Sequence, residues 1–240
     1  MAALLRLSGV CKSYGALKVT DDITLAVTEG ETLGILGPNG AGKTTLFNLI
    51  AGTLSPGGGT IRFDARDITH DQPQARCRAG IGRTHQIPQP FEKLTVFENL
   101  LVGAVHARGA SEREAAQSCG EILDRLDLLR HANSPAGSLT LLQRKRLEMA
   151  RALATAPKLL LLDEIAGGLT EAECGELVAT IRDIRKTGVA ILWIEHVVHA
   201  LLAVVDRLVV LNFGRKIAEG APREVMRSAE VRQIYIGIEA

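Results

Sequence analysis

Residues 32–52 read TLGILGPNGAGKTTLFNLIAG, and the fold turns on this stretch. An apolar run of strand length ends at Gly37, and a helix-like run begins near Lys43 and stops at Gly52. Between them, Gly37 to Thr44 fit G-x-x-x-x-G-K-[ST], in the strand-to-helix context that the pattern needs. Gly37, Gly40 and Gly42 let the backbone wrap closely, so that its N–H groups can point at phosphate oxygens. The helix start adds the positive end of its dipole. Lys43 is placed to reach β- and γ-phosphates, and the Thr44 hydroxyl can ligate Mg²⁺. Pro38, Asn39, Ala41 and Thr45 complete the cradle. An ordinary glycine-rich turn is the alternative, and the full motif in this context argues against it.

Outward from that loop, LLRLSGV, ITLAV and TIRF are short, partly alternating and rich in Ile, Leu, Val and Thr, which predicts strands. In the last third, KLLLLDE and VAILWIE are apolar runs of strand length. They flank TEAECGELVATIRDIRK, a helical pattern opened by a Thr170/Glu173 capping box. Buried strands alternating with helices imply a parallel sheet. From about residue 96 to 130 the pattern turns helical, with Ser111/Glu114 as a second box. The segment GSLTLLQRKRLEMARAL begins at Gly137. Thr140 and Gln143 form its box, and a stripe of Leu147, Ala150 and Leu153 follows Arg144, Lys145 and Arg146. At least one of those three cations is expected on a solvated helix face. Asp163 ends the LLLLDE strand, where it can hold Mg²⁺ through water, and Glu164 can orient or deprotonate an attacking water.

Composition narrows the classes. The 240 residues are 46% hydrophobic and only 3% aromatic, so the core should be aliphatic. A net charge of +1 offers no broad basic field for nucleic acid. Cys11, Cys77, Cys119 and Cys174 lack metal-ligand spacing and read as reduced, idle thiols. The opening MAALLRLSGV has no basic region or cleavage pattern, so no secretory signal is expected. No apolar run approaches the roughly 18 residues of a membrane helix. The chain is expected to be soluble while able to dock onto a membrane protein.

Together these motifs make the chain resemble the nucleotide-binding subunit of an ABC transporter, almost end to end. The resemblance implies an α/β P-loop NTPase: a RecA-like core, an antiparallel β subdomain and an α-helical subdomain. It implies one domain over residues 1–240, with the core at about 1–90 and 155–240 and the helical part at about 91–154. Tyr14 in KSYGAL matches the aromatic that stacks on adenine. Gln86 in GRTHQIPQPF matches the glutamine that senses Mg²⁺, the γ-phosphate and the membrane partner. His196 in WIEHVV matches the switch histidine near the γ-phosphate. His70, His85, His106, His131 and His199 are read as structural. LTLLQ (Leu139, Thr140, Leu141, Leu142 and Gln143) stands in the place of the signature LSGGQ, which meets ATP held by the opposite cassette of a dimer.

The chain departs from the family pattern where Leu141 and Leu142 replace small residues, Ile165 replaces proline and Thr170 replaces Asp or Asn. The first change bears on the phosphate contact across the dimer, and the last on communication between the two ATP sites. The segments GIGRTHQ, KLTVFENLLVGA and VRQIYIGIEA look like those of ATPases serving branched-chain amino acid importers. That likeness implies ATP and Mg²⁺ as cofactors and a second cassette as partner, in a homo- or heterodimer. It also implies transmembrane permease subunits, indirectly a solute-binding protein, and a place on the cytoplasmic face of a bacterial inner membrane. Ile87 to Phe91 are expected to meet the permease. A DNA-repair relative would need a long coiled coil, and a ribosomal one usually carries two cassettes. A weakly hydrolysing regulatory module is the third alternative. A GTPase would need an [NT]-K-x-D motif, which is absent.

Overall fold

The computed structural model describes residues 3–109 and 111–236. Residues 1–2 of the opening and 237–240 of the VRQIYIGIEA ending lie outside that range. The chain starts with β1 (Ala3–Tyr14), β2 (Leu17–Thr28), β3 (Thr32–Leu36) and α1 (Lys43–Ala51). Next come β4 (Gly58–Phe63), β5 (Arg66–Asp67), α2 (Pro73–Ala79) and β6 (Ile81–Arg83). The middle is helical, with α3 (Val96–Arg108), α4 (Glu112–Arg125) and α5 (Leu141–Ala154). Then follow β7 (Leu159–Asp163), α6 (Glu171–Arg185), β8 (Ala190–Ile194) and α7 (Val198–Leu202). The last elements are β9 (Arg207–Asn212), β10 (Arg215–Gly220), α8 (Pro222–Val225) and α9 (Ala229–Ile236).

Two sheets organise these elements. An antiparallel sheet has the order β2-β1-β4-β5. A second sheet runs β10-β9-β3-β8-β7-β6, parallel from β9 through β6, with β10 antiparallel at its edge. β3, β7 and β8 are buried at every residue, because both faces of this sheet are covered. Their side chains alternate between two cores, as the strand period of two requires. Leu159 and Leu161 join the core shared with α1 and the antiparallel sheet, whereas Leu160 and Leu162 join the core shared with α3, α5 and α6. On β8, Leu192 faces the first core and Trp193 the second.

The capping boxes form at Ser111/Glu114, Thr140/Gln143 and Thr170/Glu173, and a further one at Thr95/Glu98 opens α3. The basic run on α5 is less solvated than expected, and only Arg144 keeps partial access to water. Lys145 and Arg146 are buried and Arg144 is half-buried. The cause is that α5 is enclosed by α3, α4, α6 and β7. Arg146 therefore meets carboxylates from two other segments, Asp127 at 3.1 Å and Glu176 at 3.0 Å. Arg144 caps the approach to its own helix by donating to the carbonyls of Leu139 and Gly137.

Candidate functional site

The carboxyl ends of β3, β6, β7 and β8 open on one side of the parallel sheet, the edge where open α/β sheets bind ligands. The glycine-rich loop leaves β3 there under tight constraint. A Cβ at Gly37 would lie 2.4 Å from the Leu211 carbonyl oxygen. At Gly42, φ is +96°, and a Cβ would lie 2.4 Å from the Val19 oxygen. Gly42 is also the N-cap of α1 and offers no side-chain cap, so the first amides of α1 are left for a ligand. Residues 39–45 line a cleft of about 180 Å³ with Val19 and Glu164. Lys43 is buried, and its ammonium donates to the carbonyls of Gly37 (2.8 Å) and Pro38 (3.1 Å). Burial pushes its pKa down, against the pull of Glu164, Asp163 and Glu195.

The two carboxylates after β7 are held differently. Asp163 is buried, and its Oδ2 accepts from Arg83 Nη2 at 2.9 Å. Arg83 also donates to Asn48 Oδ1 at 2.6 Å, and its guanidinium lies 5.9 Å from the centre of the Phe47 ring. The Asp163 amide donates to Thr84 Oγ1. Asp163 Oδ1, by contrast, is buried with no hydrogen-bond partner. Glu164 follows with a left-handed φ of 45°. Its Oε2 accepts from Gln86 Nε2 at 2.7 Å and lies 3.9 Å from His196 Nδ1. Thus Asp163, Glu164, Gln86 and His196 meet beside the loop, although they come from distant parts of the sequence.

A hard divalent cation takes oxygen ligands. The unpartnered Oδ1 of Asp163, the exposed Thr44 hydroxyl and the Oε1 of Gln86 are oxygens of that kind, so the donor set fits Mg²⁺. Among the described residues no group of three or more His, Cys, Asp or Glu side chains is arranged as a metal cage. An ion here would therefore keep ligands from water and substrate.

The remaining expected residues stand elsewhere. Tyr14 is exposed at the end of β1, with Lys12 Nζ 5.7 Å from its ring centre, and does not line the cleft. None of residues 139–143 lines it either. The two leucines there have opposite fates. Leu142 is 8% exposed and packs into the helical core, whereas Leu141 is 43% exposed. A Cβ at Gly168 would lie 3.4 Å from Leu141 Cδ2. The Leu142 side chain thus packs inward, into the helical core. Gln143 is braced by His131, whose Nε2 lies 2.9 Å from its Nε2.

Sequence reasoning missed several buried polar groups. Glu195 is fully buried and accepts from the amides of Ala166, His196 and Val197; its Oε1 lies 3.3 Å from His196 Nδ1. The only local signal is a carboxylate directly after the apolar strand AILWI. Arg83 and Lys145 carry no local signal beyond their proximity to motifs. A second cleft, of about 330 Å³, lies between α2 and α3 and is lined by Cys77, Phe91, Val102, Arg151 and Thr155 among others. Phe91 is 48% exposed there, with the Arg151 guanidinium 5.1 Å from its ring centre.

Similarity to known proteins follows the same lines. The sequence pattern of the ABC transporter family matches residues 20–167. BraF of Pseudomonas aeruginosa, a high-affinity branched-chain amino acid transport ATP-binding protein, is 36% identical over 98% of this chain and 98% of its own length. LptB of Haemophilus influenzae, the ATP-binding protein of a lipopolysaccharide export system, is 33% identical, with 98% of each chain covered. An ATP-binding cassette of an ABC transporter solved in its ADP conformation superposes with a TM-score of 0.90. It is 33% identical, over 99% of this chain and 100% of that one. A phosphate-binding loop on a parallel sheet, a paired Asp and Glu beside it, and full-length similarity of this kind place the chain in the ABC transporter family, as one of its ATPase subunits.

Proposed function

We propose that this subunit powers an importer of branched-chain amino acids or a related small solute. The observation that carries the reading is the full-length similarity to BraF. A second reading, lipopolysaccharide export, is supported by the LptB similarity. The chain works with transmembrane permease subunits at the cytoplasmic face of a bacterial inner membrane and receives solute from a binding protein. It touches no nucleic acid. Among its described residues no helix is long and apolar enough to cross a membrane, so the permease supplies the path. A short cytoplasmic permease helix seats in the cleft beside Phe91, next to the exposed Ile87.

In the ATP-bound state, Tyr14 stacks on adenine and the amides of residues 37–45 cradle the phosphates. Lys43 exchanges its bonds to the Gly37 and Pro38 carbonyls for phosphate oxygens. Thr44, Gln86 and, through water, Asp163 would hold Mg²⁺, which would supply positive charge against the phosphates. Glu164 keeps Oε2 on Gln86 and takes the proton of the attacking water on Oε1. His196 turns Nε2 to the γ-phosphate while Nδ1 rests on Glu195. The site is completed by the N-terminus of α5 from a second cassette, whose positive dipole end suits a phosphate, as residues 139–143 of the same chain do not line the cleft. Residues 91–154 move as a helical subdomain against the core of 1–90 and 155–240, and that motion reaches the permease.

The experiment is to tag this chain, purify its complex from native membranes and identify the permease, then measure leucine uptake in cells lacking the chain. Loss of uptake is expected. Unchanged uptake, with lipopolysaccharide-export proteins in the complex, would overturn import in favour of export.

A further inference from the structure

Lys145 has no part in the chemistry above, yet its ammonium sits directly behind Gln86 and Glu164. It sits on α5, one turn beyond Leu141 and on the same helix face. The residue is only 4% exposed. A buried ammonium is costly unless its protons are satisfied and its charge is balanced. Glu195, Glu164 and Glu148 supply the balancing field, and burial pushes the Lys145 pKa down against them. Its hydrogen bonds go to carbonyls instead: Nζ donates to Gln86 O at 2.9 Å and lies 3.5 Å from Glu164 O. Those carbonyls belong to the two residues whose side chains are joined by the 2.7 Å bond from Gln86 Nε2 to Glu164 Oε2. The three residues therefore close a ring. One comes from α5, one from the segment after β6 and one from the end of β7.

We infer that Lys145 is a positioning residue for hydrolysis: through the carbonyls of Gln86 and Glu164 it fixes the Glu164 carboxylate against Gln86, and so ties water activation to the position of α5. The inference rests on the proposed role of Glu164 as base. It also gives the opposite nucleotide a short route into this chain's own site. A phosphate docked at the α5 N-terminus is one helical turn from the ammonium that orders Gln86 and Glu164. Because the ammonium binds carbonyls rather than the Glu164 carboxylate, Oε1 of that carboxylate is left to water while Oε2 stays on Gln86.

The test compares full-length wild type with K145M, K145R, E164Q and the double variant K145M/E164Q. MgATP affinity is measured by calorimetry, and kcat and KM by phosphate release. Methionine keeps the length and apolar stem, while arginine keeps a cation that can reach both carbonyls. In K145M, kcat is expected to fall by about tenfold to a hundredfold, the scale of a small misplacement of reacting groups. KM and affinity should stay within about twofold. K145R should recover most of the rate. In the E164Q background, adding K145M should change residual turnover by less than about twofold, as expected when both act through one group. Wild-type kcat in K145M would overturn the inference. So would K145R as slow as K145M, or a loss that falls on affinity. If K145M does not fold, K145R alone carries the test, and a K145R that folds, binds MgATP and turns over slowly overturns it. E164Q turning over at the wild-type rate would instead overturn the role of Glu164 itself.

Discussion

The N-termini of α1 and α5 are built on opposite plans. At α1 the cap is Gly42, which has no side chain to offer, and the amides behind it stay open. At α5, Thr140 and Gln143 close the end on themselves: the Thr140 amide donates to Gln143 Oε1 at 2.9 Å, and the Gln143 amide to Thr140 Oγ1 at 3.4 Å. Both termini carry the positive dipole end. An uncapped helix start leaves its donors to water or a ligand, whereas a boxed one satisfies them with its own side chains. The first terminus is therefore left open to a phosphate of the proposed resident nucleotide, whereas the second is closed without one.

The contrast is tested most severely at α1. Lys43→Ala removes the single ammonium of the loop and is expected to abolish measurable MgATP binding in calorimetry while far-UV circular dichroism stays unchanged. Retained affinity would break the contrast. Glu164→Gln should bind MgATP yet lose on the order of 10²–10⁴ in kcat, the usual contribution of a general base. A coupled phosphate-release assay reads this directly, and a rate near wild type refutes the assignment.

The changes at α5 act on stability first. Leu142 is core, so Leu142→Ala should destabilise the fold by about 2–5 kcal/mol in urea titration, as buried leucines do. A variant as stable as wild type would mean that the side chain instead faces the opposite cassette. Thr140→Ala opens the box and should destabilise by about 1 kcal/mol. Thermal unfolding measures it, and an unchanged Tm would mean that the helix end is held from elsewhere.

What could be read in the sequence divides by range. The boxes at Ser111, Thr140 and Thr170 are legible because donor and acceptor are three residues apart. The buried strands are legible because period and length are local. The glycine-rich loop shows itself through residue type, although only the structure reveals that Leu211 and Val19 crowd Gly37 and Gly42. The grip of Arg83 on Asp163 and of Lys145 on Gln86 spans 80 and 59 residues. Neither leaves a local pattern. The same holds for Leu142. Position in the motif marks it as phosphate-facing, but a leucine beside an apolar core goes where it is dried, and Leu141 is left outside.

Successive side chains on an extended strand point to opposite faces. Asp163 and Glu164 would diverge if β7 continued, leaving one carboxylate for the ion and the other on the far side of the sheet. The left-handed backbone at Glu164 breaks that alternation and turns Glu164 into the cleft beside the loop, while Asp163 stays buried behind it on Arg83. A non-glycine residue holds such a conformation at an expense of about 1–3 kcal/mol. Stability and turnover are therefore set against each other at a single residue. On the proposed role of Glu164 as base, Glu164→Gly is expected to melt later and to lose hydrolysis, so selection for heat resistance alone would run against the site.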